Sequence, residues 1–240
     1  MISKCPGQDT RFWKPDDVYS VECPKCGQPV EFFKDDIRRR CKKCGHMFIN
    51  PKLNLGCARW CQYADQCVGT IGKEEFKDII TLAMKEYFEG DQKRINGALK
   101  VLGFAEKILE KEEGNPKVVI AAAILYGIGV NEVERKAEGA KGYDQEKEGL
   151  PIVRGILERS GSKAEVIEEV CQIIESYHHP EKVDTLNSKI VYDAVQLFNL
   201  RDRYDSKDKE KLKKIINKIF FTTAGKKIAE EVYFGKRLEE

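Results

Sequence analysis

A chain of 240 residues with 41% hydrophobic and 34% charged side chains has the composition of a folded globular protein, long enough for one medium domain and one small one. Its formal charge of +2 provides no whole-molecule field that would draw it to DNA or to an anionic membrane. The start Met1-Ile2-Ser3-Lys4-Cys5-Pro6 lacks an apolar signal core, and the longest apolar run, Val118 to Tyr126, is too short to cross a bilayer; a cytoplasmic protein with no membrane partner is expected.

Up to about Gly72 the chain is poor in helical periodicity and rich in Pro, Gly, Cys and aromatic residues. Eight of the nine cysteines fall here, at positions 5, 23, 26, 41, 44, 57, 61 and 67. In a reducing compartment, clustered thiols more often bind metal than form disulfides, so residues 1–72 read as a cysteine-rich metal-binding module. The ninth, Cys171, lies in the helical stretch Val166-Ile-Glu-Glu-Val-Cys-Gln-Ile-Ile174 and reads as a small buried hydrophobe.

Cys23-Pro-Lys-Cys26-Gly27 and Cys41-Lys-Lys-Cys44-Gly45 are two copies of one device. A CxxC turn aims two thiolates at one ion, and the following glycine relieves the backbone of the tight knuckle. Between them, Pro29 to Lys34 and Arg38 to Arg40 suit a short hairpin carrying the two knuckles. The pattern resembles the zinc-ribbon family over roughly residues 20–50, which implies one structural zinc on Cys23, Cys26, Cys41 and Cys44. An apolar core this small does not fold unaided, and a structural zinc contributes on the order of 10 kcal/mol or more.

Cys57, Cys61 and Cys67 follow the ribbon and Cys5 precedes it, so the ribbon is inserted within a second cysteine set. Four thiolates there suit either a second zinc or a [4Fe–4S] cluster. The three- and five-residue gaps favour the cluster, with Trp13, Trp60 and Tyr63 available to shield it. The basic run Arg38 to Lys43 can touch phosphates. Yet residues 1–70 hold 12 Lys/Arg against 8 Asp/Glu, an excess of four, and a zinc with four thiolates removes two of it. Nucleic-acid binding is therefore the lesser reading.

From Lys73 the pattern changes, and residues 73–240 read as an all-helical domain. Ala98, Val101, Leu102, Ala105, Ile108 and Leu109 mark one apolar helix face. Gly114-Asn115-Pro116 ends that helix, and the proline can open the next. Val118 to Leu125 reads as a buried helix that stops at Tyr126-Gly127-Ile128-Gly129. Further helices are expected near residues 143–159, 162–177 and 185–200, on Leu212, Ile215, Ile216, Ile219 and Phe220, and over Thr222 to Phe234. The charged stretch Arg201 to Lys214 reads as a loop leading into a solvated helix face. The expected fold class is mainly α, with a small N-terminal β ribbon.

Four segments in order, Arg94 to Val101, Val118 to Gly129, Tyr177-His178-His179-Pro180 and Lys189 to Ala194, together resemble the HD-domain metal-dependent phosphohydrolases over about residues 90–200. In that family a histidine, an adjacent His-Asp pair and a distal aspartate surround a divalent metal, and accessory histidines bind a second ion or the phosphate. Here the first histidine falls at Gly97, or with a poorer fit at Asn96, and the His-Asp pair falls at Tyr126 and Gly127. Only Asp193 keeps its expected identity, while His178 and His179 match the accessory positions. With three of four core ligands replaced, a divalent metal is not expected in this pocket, which argues against the family's hydrolysis.

Other roles are open for the survivors. His178-His179-Pro180 can cap the preceding helix, and Asp193 can bond to nearby backbone or to a lysine. A His178, His179 and Asp193 trio helped by Glu132 or Glu134 is the alternative metal site. The resemblance thus implies a degenerate HD-like protein that binds a protein partner or a small phosphorylated ligand. Its alternatives are a phosphohydrolase with an unusual His/His/Asp site and an iron–sulfur electron-transfer subunit.

Overall fold

The computed structural model describes residues 9–59, 61, 64, 71–136, 145–176, 179–203 and 209–234. The chain is mainly helical, with a small N-terminal β region, and divides into two compact units. The first comprises residues 1–82 and 157–163; the second comprises residues 83–156 and 164–240.

In the first unit, β1 (Val18–Glu22) pairs antiparallel with β2 (Pro29–Phe33), placing Val18 opposite Phe33 and Glu22 opposite Pro29. A second hairpin pairs β3 (Arg38–Arg40) with β4 (Met47–Ile49). Each CxxC motif therefore occupies the turn of its own hairpin, where the sequence suggested one hairpin strung between the knuckles. The knuckle itself closes the turn. Gly27 N–H donates to Cys23 O and Gly45 N–H to Cys41 O, both at 2.9 Å. Cys23 N–H then reaches Gln28 O at 2.9 Å and Cys41 N–H reaches His46 O at 2.8 Å, starting each ladder. Gly27 and Gly45 have φ of 68° and 71°, a left-handed backbone that favours glycine at this point.

Four buried residues, Cys23, Val30, Phe32 and Cys41, form the ribbon's core, and Phe48 packs edge-on against Phe32 with ring centres 5.2 Å apart. Asn50 adds a polar staple. Its Nδ2 donates to Phe33 O (3.2 Å) and Asp36 O (3.0 Å), while its Oδ1 accepts from Tyr19 Oη (2.5 Å) and Lys52 N (2.9 Å). It is 1% exposed and fully bonded, as a buried amide must be.

Helix α1 (Lys73–Tyr87) is buried along Phe76, Ile80 and Met84, a four-residue period that the sequence reading did not single out. In the second unit, α2 (Gln92–Leu109) starts at Asp91, whose carboxylate accepts from Arg94 N at 3.1 Å, and buries the apolar face expected of it. Pro116 opens α3 (Pro116–Lys136), in which every residue from Val118 to Leu125 is wholly buried.

That helix does not stop at Tyr126-Gly127-Ile128-Gly129 but runs on to Lys136. A glycine costs a helix about 1 kcal/mol relative to alanine, less than burying neighbours such as Ile128 returns. Helices α4 (Gln145–Arg159), α5 (Ala164–Glu175), α6 (Leu186–Arg203), α7 (Lys209–Ile219) and α8 (Thr223–Phe234) follow. The Arg201 to Lys214 stretch is thus helical at both ends rather than a loop that leads into one helix.

Helix α3 packs on α2, α5 and α6, and α6 packs in turn on α2 and α8. Cys171 lies buried on α5, and desolvation pushes its thiol up, as suits an inert core position. Among the described residues, no helix is long and apolar enough to cross a membrane.

Candidate metal centre and the Asp193 anchor

The Sγ atoms of Cys23, Cys26, Cys41 and Cys44 all lie within 4.8 Å of one another. Cys23 Sγ is 3.6 Å from Cys44 Sγ, and Cys26 Sγ is 3.7 Å from Cys41 Sγ. Four sulfurs about 2.3 Å from one tetrahedral ion would stand about 3.8 Å apart, so the four thiols can hold a single metal ion. Both close pairs cross from one knuckle to the other. An ion there ties the two hairpins together.

Backbone N–H groups prepare the site for negative charge. Those of Cys44 and Lys43, aided by neighbouring thiols, bring the Cys41 thiol down to about 7 against the cost of burial. Cys26 is pushed up to about 11: the Gln28 N–H favours its thiolate, but burial and the thiols of Cys44, Cys41 and Cys23 outweigh it. Four adjacent thiols cannot all ionise without a cation, and a divalent ion supplies the compensating charge.

Of the second cysteine set, Cys5 and Cys67 lie outside the described residues, as do Trp60 and Tyr63. Cys57 and Cys61 lie one helical turn apart, with Cys61 N–H on Cys57 O at 3.0 Å. Trp13 packs on Phe33 of the ribbon, ring centres 5.6 Å apart.

In the helical unit, the HD-like positions take other partners. Asp193 on α6 is 0% exposed, and both its carboxylate oxygens are engaged by the start of α8. Phe221 N–H donates to Oδ1 at 2.9 Å; Thr222 N–H and the Thr222 hydroxyl both donate to Oδ2 at 2.7 Å. Thr222 Oγ1 in turn accepts from Gly225 N–H at 2.8 Å and caps the helix. Glu112 completes the anchor by accepting from Ala224 N–H at 3.0 Å. Burial raises the Asp193 carboxyl to about 6, against the opposing pull of the Phe221 and Thr222 N–H groups, the Thr222 hydroxyl and Lys226.

At Gly97 on α2, an added Cβ would sit 3.4 Å from Cζ of Phe198 on α6, at van der Waals contact with the phenyl ring. A Cβ at Gly127 would meet Phe88 Cζ at 3.8 Å. His179 is exposed and its Nδ1 lies 3.0 Å from Glu181 Oε1; His178 lies outside the described residues, and so do the side chains of Glu132 and Glu134. A cleft of about 350 Å³, lined by Glu169, Glu175, Asp184 and Lys182 among others, is formed by residues on either side of His179 in the sequence. Its acidic balance is unfavourable to a phosphate group.

Among the described residues, the four ribbon cysteines are the one group of three or more His, Cys, Asp or Glu side chains placed to share an ion. Sequence reading missed Asn50, Phe198 and the Thr222/Gly225 cap. Thr222 ahead of Thr223-Ala224-Gly225 is a legible N-cap signal, but nothing local announces that a residue on another helix completes it. No family model, curated protein or solved structure gives a significant match to this chain.

Proposed function

We propose that this chain is a non-hydrolytic, HD-like binding protein whose N-terminal ribbon is stapled by one zinc ion. The observation that carries the reading is the commitment of Asp193: both oxygens of the one retained core ligand serve the α8 N-terminus. Three donors occupy this carboxylate, and among the described residues it joins no group of three or more His, Cys, Asp or Glu placed to share an ion. The phenyl ring of Phe198 argues the same way, because it packs beside the glycine where the resemblance would put a first metal ligand.

Zinc is the ion favoured at the ribbon because four thiolates at tetrahedral spacing match its preference. Four protein ligands leave no open position for water or substrate, so its role is structural. The function is then binding, with a protein or a phosphorylated molecule as partner. Full-length protein incubated with Mn²⁺, Co²⁺ or Mg²⁺ and a panel of phosphoesters and nucleotides tests it. No metal-dependent turnover is expected. Turnover that disappears in a folded, zinc-loaded Asp193→Asn variant would overturn the reading in favour of a phosphohydrolase.

A second reading concerns the outer cysteines. The one-turn separation of Cys57 and Cys61 favours shared ligation, and with Cys5 and Cys67 they would hold a [4Fe–4S] cluster or a second zinc. Brown, air-sensitive absorption after anaerobic purification supports the cluster. Colourless protein with two zinc ions per chain removes it.

A further inference from the structure

The ribbon carries a second feature beside its thiols. Arg39 and Arg40 from β3, with Lys42 and Lys43 from the second knuckle, line one cleft of about 560 Å³. That volume lies within the roughly 300–1,000 Å³ range of ligand sites. Pro29 and Glu31 of β2 also line it, and Glu31 is the one acid against the four cations.

Arg39 is held ready. Its Nε donates to Asp36 Oδ2 at 2.5 Å, and its guanidinium carbon sits 4.5 Å from the centre of the Phe33 ring. These two contacts fix the plane of the fork, while Nη1 and Nη2 have no hydrogen-bond partner among the described residues. A pre-ordered guanidinium loses little further freedom on meeting a phosphate, and its planar donors suit that group. Arg38, by contrast, is engaged with Glu75 at 2.9 Å and stands apart from the cleft. Arg40, Lys42 and Lys43 are exposed and make no ion pair among the described residues.

Two of the four thiols, Cys23 and Cys41, are 2% and 1% exposed, whereas Arg40, Lys42 and Lys43 are open to solvent. Trp13 extends the aromatic surface, its ring 5.6 Å from Phe33. The Arg39 side chain is 31% exposed while its guanidinium rests on Phe33, and a planar cation of this kind suits stacking by an unpaired base.

We propose that this cleft binds the backbone of a single-stranded nucleic acid, with Arg39, Arg40, Lys42 and Lys43 taking phosphates and the Arg39–Phe33 stack receiving a base. A concave site with a stacking face suits a single strand, whose bases are free, better than a duplex. The inference goes beyond the reading above and does not depend on the helical unit. It shares with that reading only the folded, zinc-bound ribbon.

The test is fluorescence anisotropy of short labelled RNA and DNA strands with zinc-loaded full-length protein, over a range of salt. The matching duplex, adenosine monophosphate, inorganic phosphate and heparin serve as comparisons. Single strands are expected to bind roughly tenfold tighter than duplex, with affinity falling as salt rises. Lys42→Glu with Lys43→Glu should lower affinity at least tenfold and flatten the log–log salt slope by about two.

Arg39→Ala should erase the preference for single strands. Arg39→Lys, which keeps charge but not the planar fork, should restore affinity only in part. Lys213→Ala on α7 is the charge-matched control and should change nothing. Absent binding, or binding matched by heparin or duplex and indifferent to the Arg39 and lysine changes, overturns the proposal. Equal affinity for adenosine monophosphate or free phosphate would instead assign a small-anion site and also overturns it. Zinc content separates the two readings: failure to bind with one zinc per chain defeats this inference alone, whereas a chain that takes up no zinc defeats the four-thiol staple as well.

Discussion

Oδ2 of Asp193 receives the backbone N–H of Thr222 at 2.7 Å, joining α6 to the first turn of α8 through a buried carboxylate. The same oxygen takes the Thr222 hydroxyl, whose Oγ1 caps Gly225, so three links in series fix where α8 begins. The carboxylate thereby satisfies backbone donors that a helix start leaves unpaired. An aspartate can be required at this position with no metal beside it.

Replacing Asp193 by Asn tests that role. An amide offers one acceptor oxygen where two are used, and its NH₂ faces the Thr222 donor. A loss of about 1–3 kcal/mol is expected, the cost of leaving a buried donor unpaired. Urea unfolding followed by circular dichroism measures it. A variant as stable as the parent would contradict the anchor.

The same carboxyl predicts a pH dependence. Burial lifts it from 3.8 to about 6 in the folded chain, so the native state binds its proton more tightly than the unfolded state does. Its contribution is fully present below pH 3.8 and is lost as pH rises through about 6. The span amounts to about 3 kcal/mol at most. The stability margin of the parent over Asp193→Asn should therefore shrink between those pH values. A margin that widens with pH would show the opposite shift.

Two glycines on the helices should respond differently to alanine. A Cβ at Gly225 would lie 2.3 Å from Asp193 Oδ2 and 2.8 Å from Thr222 Oγ1, so Gly225→Ala must displace the anchor. It should cost about 1–3 kcal/mol despite alanine's better helix propensity. At Gly97 the nearest atom is a ring carbon at 3.4 Å, a contact that a gain of about 1 kcal/mol in helix propensity can offset. Gly97→Ala should be near neutral. Gly97→His must displace Phe198, and is expected to destabilise without creating a metal site. Thermal unfolding of the three variants orders them.

For the zinc proposed at the ribbon, Cys41→Ser should abolish retention, because a four-thiol site has no spare ligand. Asn50→Ala leaves all four cysteines in place but strands the partners of a buried amide. Its expected cost of about 1–3 kcal/mol should speed zinc transfer to a chelator by roughly tenfold or more. Zinc loss monitored with a colorimetric chelator distinguishes a ligand from a staple.

The ribbon thiols were legible because CxxCG encodes its geometry within five residues: two ligands, a closing N–H bond and a glycine with positive φ. The two hairpins were less so, since which strands flank a knuckle depends on pairing beyond the motif. The continuation of α3 past Gly127 was hidden because local propensity is a weak signal in a helix buried on every side. Asp193 was found as a residue, but its partners Phe221 and Thr222 stand 28 and 29 positions away, and only the packing of α8 on α6 brings them together. The Phe198 ring beside Gly97 is the same kind of fact: α2 and α6 must pack together before a phenyl ring can sit against that glycine.

Whether Asp193 is an anchor or a ligand is measured most directly by the metal content of the parent and of Asp193→Asn. Both proteins are loaded with Mn²⁺, desalted and analysed for Mn and Zn per chain. An anchoring Asp193 gives equal metal content in the two proteins, with the variant less stable. Loss of one bound Mn per chain in the variant alone would contradict it.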